Sequence, residues 1–192
     1  MVAEILIGFM GAGGILNCDR NVSMDRIINT EIFQNLPTTN KFYLSKMKID
    51  NPTKNILHLG GISGNFGENG INCYFWSPIG KDFNDYLQDT LQKYLEESAL
   101  YNADSDIEIS SEILNQQLNI PAIGVDGIYS KAKFVVQKQD KEIYVKTFEN
   151  TYQFDTNPLT IGNEVSNNYP IALSKVIDML FTDKEFLDVI SK

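Results

Sequence analysis

The sequence predicts an α+β fold: a mixed, mostly antiparallel sheet with a long central helix and a C-terminal helix packed on one face. Three observations carry this expectation. Phe83, Tyr86, Leu87, Leu91, Tyr94, Leu95 and Ala99 recur at helical spacing and form one apolar stripe of about five turns. Ile107, Ile109, Ser111 and Ile113 alternate with Glu108, Ser110 and Glu112, the period of a strand with one wet face. Ala172, Leu173, Val176, Ile177, Leu180 and Phe181 repeat the helical spacing near the C-terminus. Both stripes are buried at once if the two helices share one side of the sheet.

The chain has 192 residues, 43% hydrophobic and 21% charged, which is enough for one well-buried core. The expected division is a single α+β domain over residues 40–192. Residues 1–39 then form either a signal-like or tether segment or an N-terminal strand segment. A net charge of −9 argues against nucleic acid, because neutralising phosphates needs clustered Lys and Arg. The lysines here are scattered among acids.

Taken in order, Ile5 to Leu16 is a short apolar run that ends in Leu16-Asn17-Cys18. It has the length of a signal-peptide apolar region and is too short to span a bilayer as a mature helix. The other reading is a buried strand, Ala3 to Phe9, followed by a glycine turn. Gly8-Phe9-Met10-Gly11-Ala12-Gly13 is shaped like a phosphate loop of the shikimate-kinase type. Such a loop needs Lys and then Ser or Thr next, and Gly14, Ile15 and Leu16 stand there instead.

A short helix is expected from Met24 to Phe33, capped by Ser23 and ended by Pro37. Lys41 to Ile49 alternates as a strand, and Ile56 to Leu59 is a second short one. Gly60 to Gly70 holds Gly60, Gly61, Gly64, Gly67 and Gly70 around Phe66, and is the candidate binding loop. Ile71 to Trp76 is a further strand, and Asp82 is the expected N-cap of the central helix. Its opposite face, with Asp85, Gln88, Asp89, Gln92, Lys93, Glu96 and Glu97, is expected in solvent.

Ile128 to Gln139 and Glu142 to Phe154 continue the first meander strand, joined by a tight turn at Asp140-Lys141. Thr156 to Val165 reads as a loop, and Pro170 as the first turn of the helix that starts at Ile171. Thr182-Asp183-Lys184-Glu185 is a capping box for a last short helix.

The residues that carry chemistry are few. His58, Cys18 and Cys73 form no metal-ligand spacing, so no metal and no cofactor is expected. Paired acids exist at Glu108 and Glu112 and at Asp85 and Asp89, but on faces expected to be solvated. No catalytic residue is assigned, and the chain is read as a non-enzyme.

Three stretches resemble a known family: GKDFNDYLQDTLQKYLEESALY followed by DIEISSEIL, then IYSKAKFVVQKQDKEIYVKTFENTYQF, then ALSKVIDMLFTDKEFLDVI. Together they are similar to the YajG-type bacterial outer-membrane lipoproteins and, more loosely, to other small auxiliary lipoproteins of transport systems. The resemblance implies a lipidated cysteine, which maps onto Cys18, and a body that faces the periplasm. It supplies no catalytic residue. Cys18 is therefore the lipidation candidate and a lipid anchor the expected link to the membrane. Partners are a protein, a lipid or a glycan of the envelope, and the groove between the central helix and the glycine loop is the place for an apolar ligand. The competing reading is a soluble cytoplasmic interaction domain with residues 2–9 as a core strand.

Overall fold

The chain runs β1 (Leu16–Asn21), a 3₁₀ turn (Thr30–Phe33), β2 (Tyr43–Leu44), β3 (Ile71–Trp76), α1 (Phe83–Glu97), β4 (Ile107–Asn119), β5 (Asp126–Lys138), β6 (Lys141–Phe154), α2 (Ile161–Phe181) and α3 (Lys184–Ser191). The structure, a computed structural model, describes residues 16–34, 36–37, 39–46, 71–79, 83–119, 126–155 and 160–192. The strands expected at Ala3–Phe9 and Ile56–Leu59 and the loop Gly60–Gly70 lie outside the described residues.

β4, β5 and β6 are the predicted antiparallel meander, and β2 adds to β4 in parallel, so the sheet order is β2-β4-β5-β6. The register pairs Ile109 with Val136 and Val136 with Tyr144, Ser111 with Phe134, and Ile113 with Ala132 and Ala132 with Phe148. These residues share one face because side chains alternate along a strand. They are buried beneath the helices: α1 packs on β4, α2 on β5 and β6, and α3 on β6. The α+β class and the one-sided helix layer are thus as the periodicity predicts.

The stripe of α1 is buried almost completely. Phe83, Tyr86, Leu87, Leu91, Tyr94 and Leu95 are each at most 1% exposed, and burying such a side chain contributes about 1.5–3 kcal/mol. Ala99 is not part of the stripe. It lies beyond the helix, exposed, at φ 58°. Leu100 N–H donates to the Leu95 carbonyl and Ala99 N–H to that of Glu96, which closes the helix in a left-handed cap. Gln88 also departs from expectation. It is buried, although the spacing puts it on the polar face of the helix.

The N-terminal segment does not form the expected helix over Met24–Phe33. Ser23 Oγ accepts from the Asp25 N–H in a tight local turn, and one 3₁₀ turn follows. Phe33 inserts between Tyr94 and Phe181, with ring centroids 5.8 and 5.6 Å away. Val22 is buried, and Ile28, Ile32 and Leu36 pack on the core. The segment runs over the body rather than away from it. The strand expected from Lys41 to Ile49 shrinks to Tyr43–Leu44, with Phe42 bridged to Tyr101 and residues 47–50 outside the described set.

The largest correction is α2. It begins at Ile161, so the expected loop up to Val165 is its first turn and Pro170 lies in its interior. Val165 and Tyr169, one turn apart, are fully buried, and that burial outweighs the weak helix propensity of Gly162, Asn163, Ser166, Asn167 and Asn168. At the hairpin the turn residues are Gln139 and Asp140, with φ 51° and 61°, one position earlier than expected. At α3 the cap is Asp183, whose side chain accepts from the Phe186 N–H, while Thr182 ends α2.

β1 and β3 form a separate two-stranded sheet, parallel and in register from Leu16 opposite Ile71 to Asn21 opposite Trp76. The Val22 N–H extends it by donating to the Trp76 carbonyl at 3.0 Å. β1 also lies against α2.

Candidate functional site

A groove of about 390 Å³ opens between α1 and the end of β2, within the range of small-ligand sites. Leu44 and Ile79 supply its apolar lining. Asp85, Gln88, Asp89 and Gln92 supply the polar wall, because residues three and four apart on a helix share a face. Ser45 and Lys46 close the opposite rim, since the Ser45 N–H continues the ladder with the Ile109 carbonyl at 2.9 Å.

Both carboxylates face cations. Lys46 Nζ lies 3.2 Å from Asp85, and Arg26 reaches Asp89 through Nε and a terminal nitrogen, each at 2.8 Å. Arg26 also lies over the Tyr86 ring, 4.2 Å from its centroid, a contact worth about 0.5–2 kcal/mol. The Tyr86 hydroxyl sits 2.9 Å from the carbonyls of Ser23 and Asp25 and anchors the N-terminal segment to α1. Burial pushes that hydroxyl up to about 12, with Arg26 acting in the opposite direction, so it serves as a proton-carrying donor.

This arrangement offers amides, a hydroxyl and neutralised acids above a small apolar floor. Asp85 faces the exposed Lys46, whereas Asp89 takes two contacts from the largely buried Arg26. The groove presents hydrogen-bonding groups along its α1 wall. The groove expected between the central helix and the Gly60–Gly70 loop lies outside the described residues. Glu108 is exposed and Glu112 half-buried on the opposite face of the sheet from the helices. Among the described residues no group of three His, Cys, Asp or Glu gathers to hold a metal.

Cys18 lies inside β1, with its Cα paired to that of Cys73 in β3. Gly60, Gly61, Gly64, Phe66, Gly67 and Gly70, like His58, lie outside the described residues. Sequence reasoning missed Arg26 and Lys46, whose partners in α1 are remote in the chain. The signal it could have used is weak: Arg20, Arg26, Lys41, Lys46 and Lys48 are among the cations that stand before α1, and nothing local says which of them meets its acids. Among the described residues no helix is long and apolar enough to cross a membrane.

The chain matches no family model and no curated protein by sequence. In structure it is similar to a DUF330-family protein of Xanthomonas campestris: 12% identity, 89% of this chain and 96% of that one, with a TM-score of 0.57. A minor lipoprotein of Acinetobacter baumannii aligns over 77% of this chain and 93% of its own, at 11% identity and a TM-score of 0.45. The lipoprotein GNA1162 of Neisseria meningitidis aligns over 78% and 93%, at 11% identity and a TM-score of 0.24. The first similarity establishes a shared fold, and the other two are too weak to argue from.

Proposed function

We propose that this chain is a non-enzymatic envelope lipoprotein that faces the periplasm and serves as a binding or assembly accessory, of the general kind to which the YajG-type proteins belong. One observation supports the reading most directly. The apolar run that ends in Leu16-Asn17-Cys18 joins the folded body at β1 itself. A lipid on Cys18 would hold the body flush against the membrane surface, with Val22, Ile28, Ile32, Phe33 and Leu36 packed on the core where a tether would run free. The groove along α1, with its polar wall and paired charges, is the proposed ligand site, and it suits a glycan or a polar peptide better than an acyl chain.

Fatty-acid labelling of cells that express the full chain tests the anchor. The expected result is label in the envelope fraction, lost in Cys18→Ser. An unlabelled protein in the cytoplasm would sink this reading and leave the cytoplasmic interaction domain in its place. For the groove, Gln88→Ala together with Gln92→Ala is expected to weaken glycan or peptide capture without changing the fold.

A further inference from the structure

The chain contains two cysteines, Cys18 and Cys73. They are remote in sequence, yet the β1–β3 register sets them on the same rung of the parallel ladder. Strands that pair in a sheet run about 4.7–4.9 Å apart. A disulfide requires Cα atoms about 4.4–6.8 Å apart. The register alone thus meets the backbone condition for a cross-link. A slip of one residue would set Cys18 opposite Asn72 or Tyr74 and take the two cysteines off the same rung. The location gives the link a purpose. β1 and β3 stand as a two-stranded sheet apart from the four-stranded one, β1 is held against α2, and a covalent link would tie β3 to that anchored strand.

We propose that Cys18 and Cys73 close a cross-strand disulfide in every copy of the chain whose Cys18 carries no lipid. The oxidant is a disulfide donor of the glutathione or dithiol-oxidoreductase class. One cysteine thiolate attacks the donor disulfide, forms a mixed disulfide and releases one donor thiol. The second thiolate attacks the cysteine sulfur of that mixed disulfide and releases the other donor thiol, so the donor is reduced as the pair is oxidised. For its oxidising compartment in the cell the proposal rests on the exported reading above; it does not rest on lipid attachment. The two fates of Cys18 consume the same sulfur. Lipid attachment must therefore precede oxidation, and a chain oxidised first is closed to it.

The test uses the full chain made by cell-free synthesis, without lipid-modifying enzymes, and equilibrated with reduced and oxidised glutathione. The expected product is a monomer lighter by its two thiol hydrogens and unreactive to maleimide. Cys73→Ser is expected to return one reactive thiol. A register control, Cys73→Ser with Asn72→Cys, is expected to keep both thiols reactive. Two reactive thiols in the unmodified chain, disulfide-linked dimers, or equal closure in the register control would overturn the proposal. The result is read in vitro, so it stands apart from whether cells label Cys18.

Discussion

The backbone N–H of Ser23 donates to the carbonyl of Ser166 at 3.0 Å, joining the end of β1 to the middle of α2. The reason is four residues further on. Pro170 has no N–H, so it leaves the Ser166 carbonyl without its helical partner. The strand end supplies the missing donor. The Ser166 hydroxyl adds a second tie, donating to the Asn21 carbonyl at 2.7 Å. The interior proline is thus a docking point for the N-terminal segment. The Ser23 amide belongs to no helix or strand, yet it is expected to exchange with solvent as slowly as the central amides of α2. Native-state hydrogen exchange reads this directly, and exchange at the rate of an unstructured peptide would show that β1 is not held there.

Arg20 and Gly162 form a second tie between the same elements. A Cβ at Gly162 would stand 2.6 Å from Arg20 Nε and 2.9 Å from its Cδ, so the arginine lies across the space that a side chain would fill. Its terminal nitrogen donates to Asn163 Oδ1 at 2.6 Å. Alanine in a helix is ordinarily favoured over glycine by about 1 kcal/mol. Gly162→Ala alone is expected to bring little net change, because it displaces Arg20. In an Arg20→Ala background the same substitution is expected to stabilise by about 1 kcal/mol. A double-mutant cycle from urea melts measures the coupling, and additive effects would mean that the two residues do not compete for this space.

What the sequence disclosed and what it withheld follow from the range of the forces. The burial of α1, the meander and α3 was legible because periodicity records it residue by residue. The first half of α2 was not, since Gly162, Asn163 and Ser166 are poor helix formers and Val165 and Tyr169 are held by distant contacts. The groove was half-legible: Asp85 and Asp89 could be placed on one helix face. Their cations could not, because Arg26 and Asp89 are 63 positions apart. The meeting of Cys18 and Cys73 depends on a parallel pairing that no local pattern announces.

Ala99 marks a place where the sequence falls short of the geometry it adopts. Its φ of 58° is the left-handed cap conformation, which costs about 1–2 kcal/mol for a residue with a Cβ. Ala99→Gly is expected to stabilise by about 1 kcal/mol, because the cap bonds from Ala99 and Leu100 remain as they are. Gln139→Asn with Asp140→Gly acts by the same logic at the hairpin, where both turn residues have positive φ. Chemical denaturation should show a higher midpoint with an unchanged slope for each. A lower midpoint would show that the positive φ values are not the native ones.

Asp183 gathers three donors from two elements, α3 and β6, on one carboxylate. It accepts from the Phe186 N–H at 3.2 Å as the cap of α3, from the Tyr144 hydroxyl at 3.1 Å, and from Lys146 Nζ at 2.5 Å. Burial alone would push this carboxyl up. The Lys146 ammonium, the Phe186 N–H and the Tyr144 hydroxyl outweigh it and hold the group below the usual carboxylate range. The folded state therefore binds this proton more weakly than the unfolded chain. The stabilisation is complete above the ordinary aspartate value and is lost as pH falls through the lower, folded value. Burial and then Asp183 push the Tyr144 hydroxyl up, so it stays a donor throughout that range. Asp183→Asn keeps an acceptor for Phe186 but drops the charge, so it is expected to be less stable at neutral pH and to lose the acid-side decline. Asp183→Ala removes the cap as well and is expected to cost about 1–2 kcal/mol. Thermal melts between neutral pH and strong acid separate the cases. If Asp183→Asn declines in acid as steeply as the parent chain, some other carboxylate sets the acid limit.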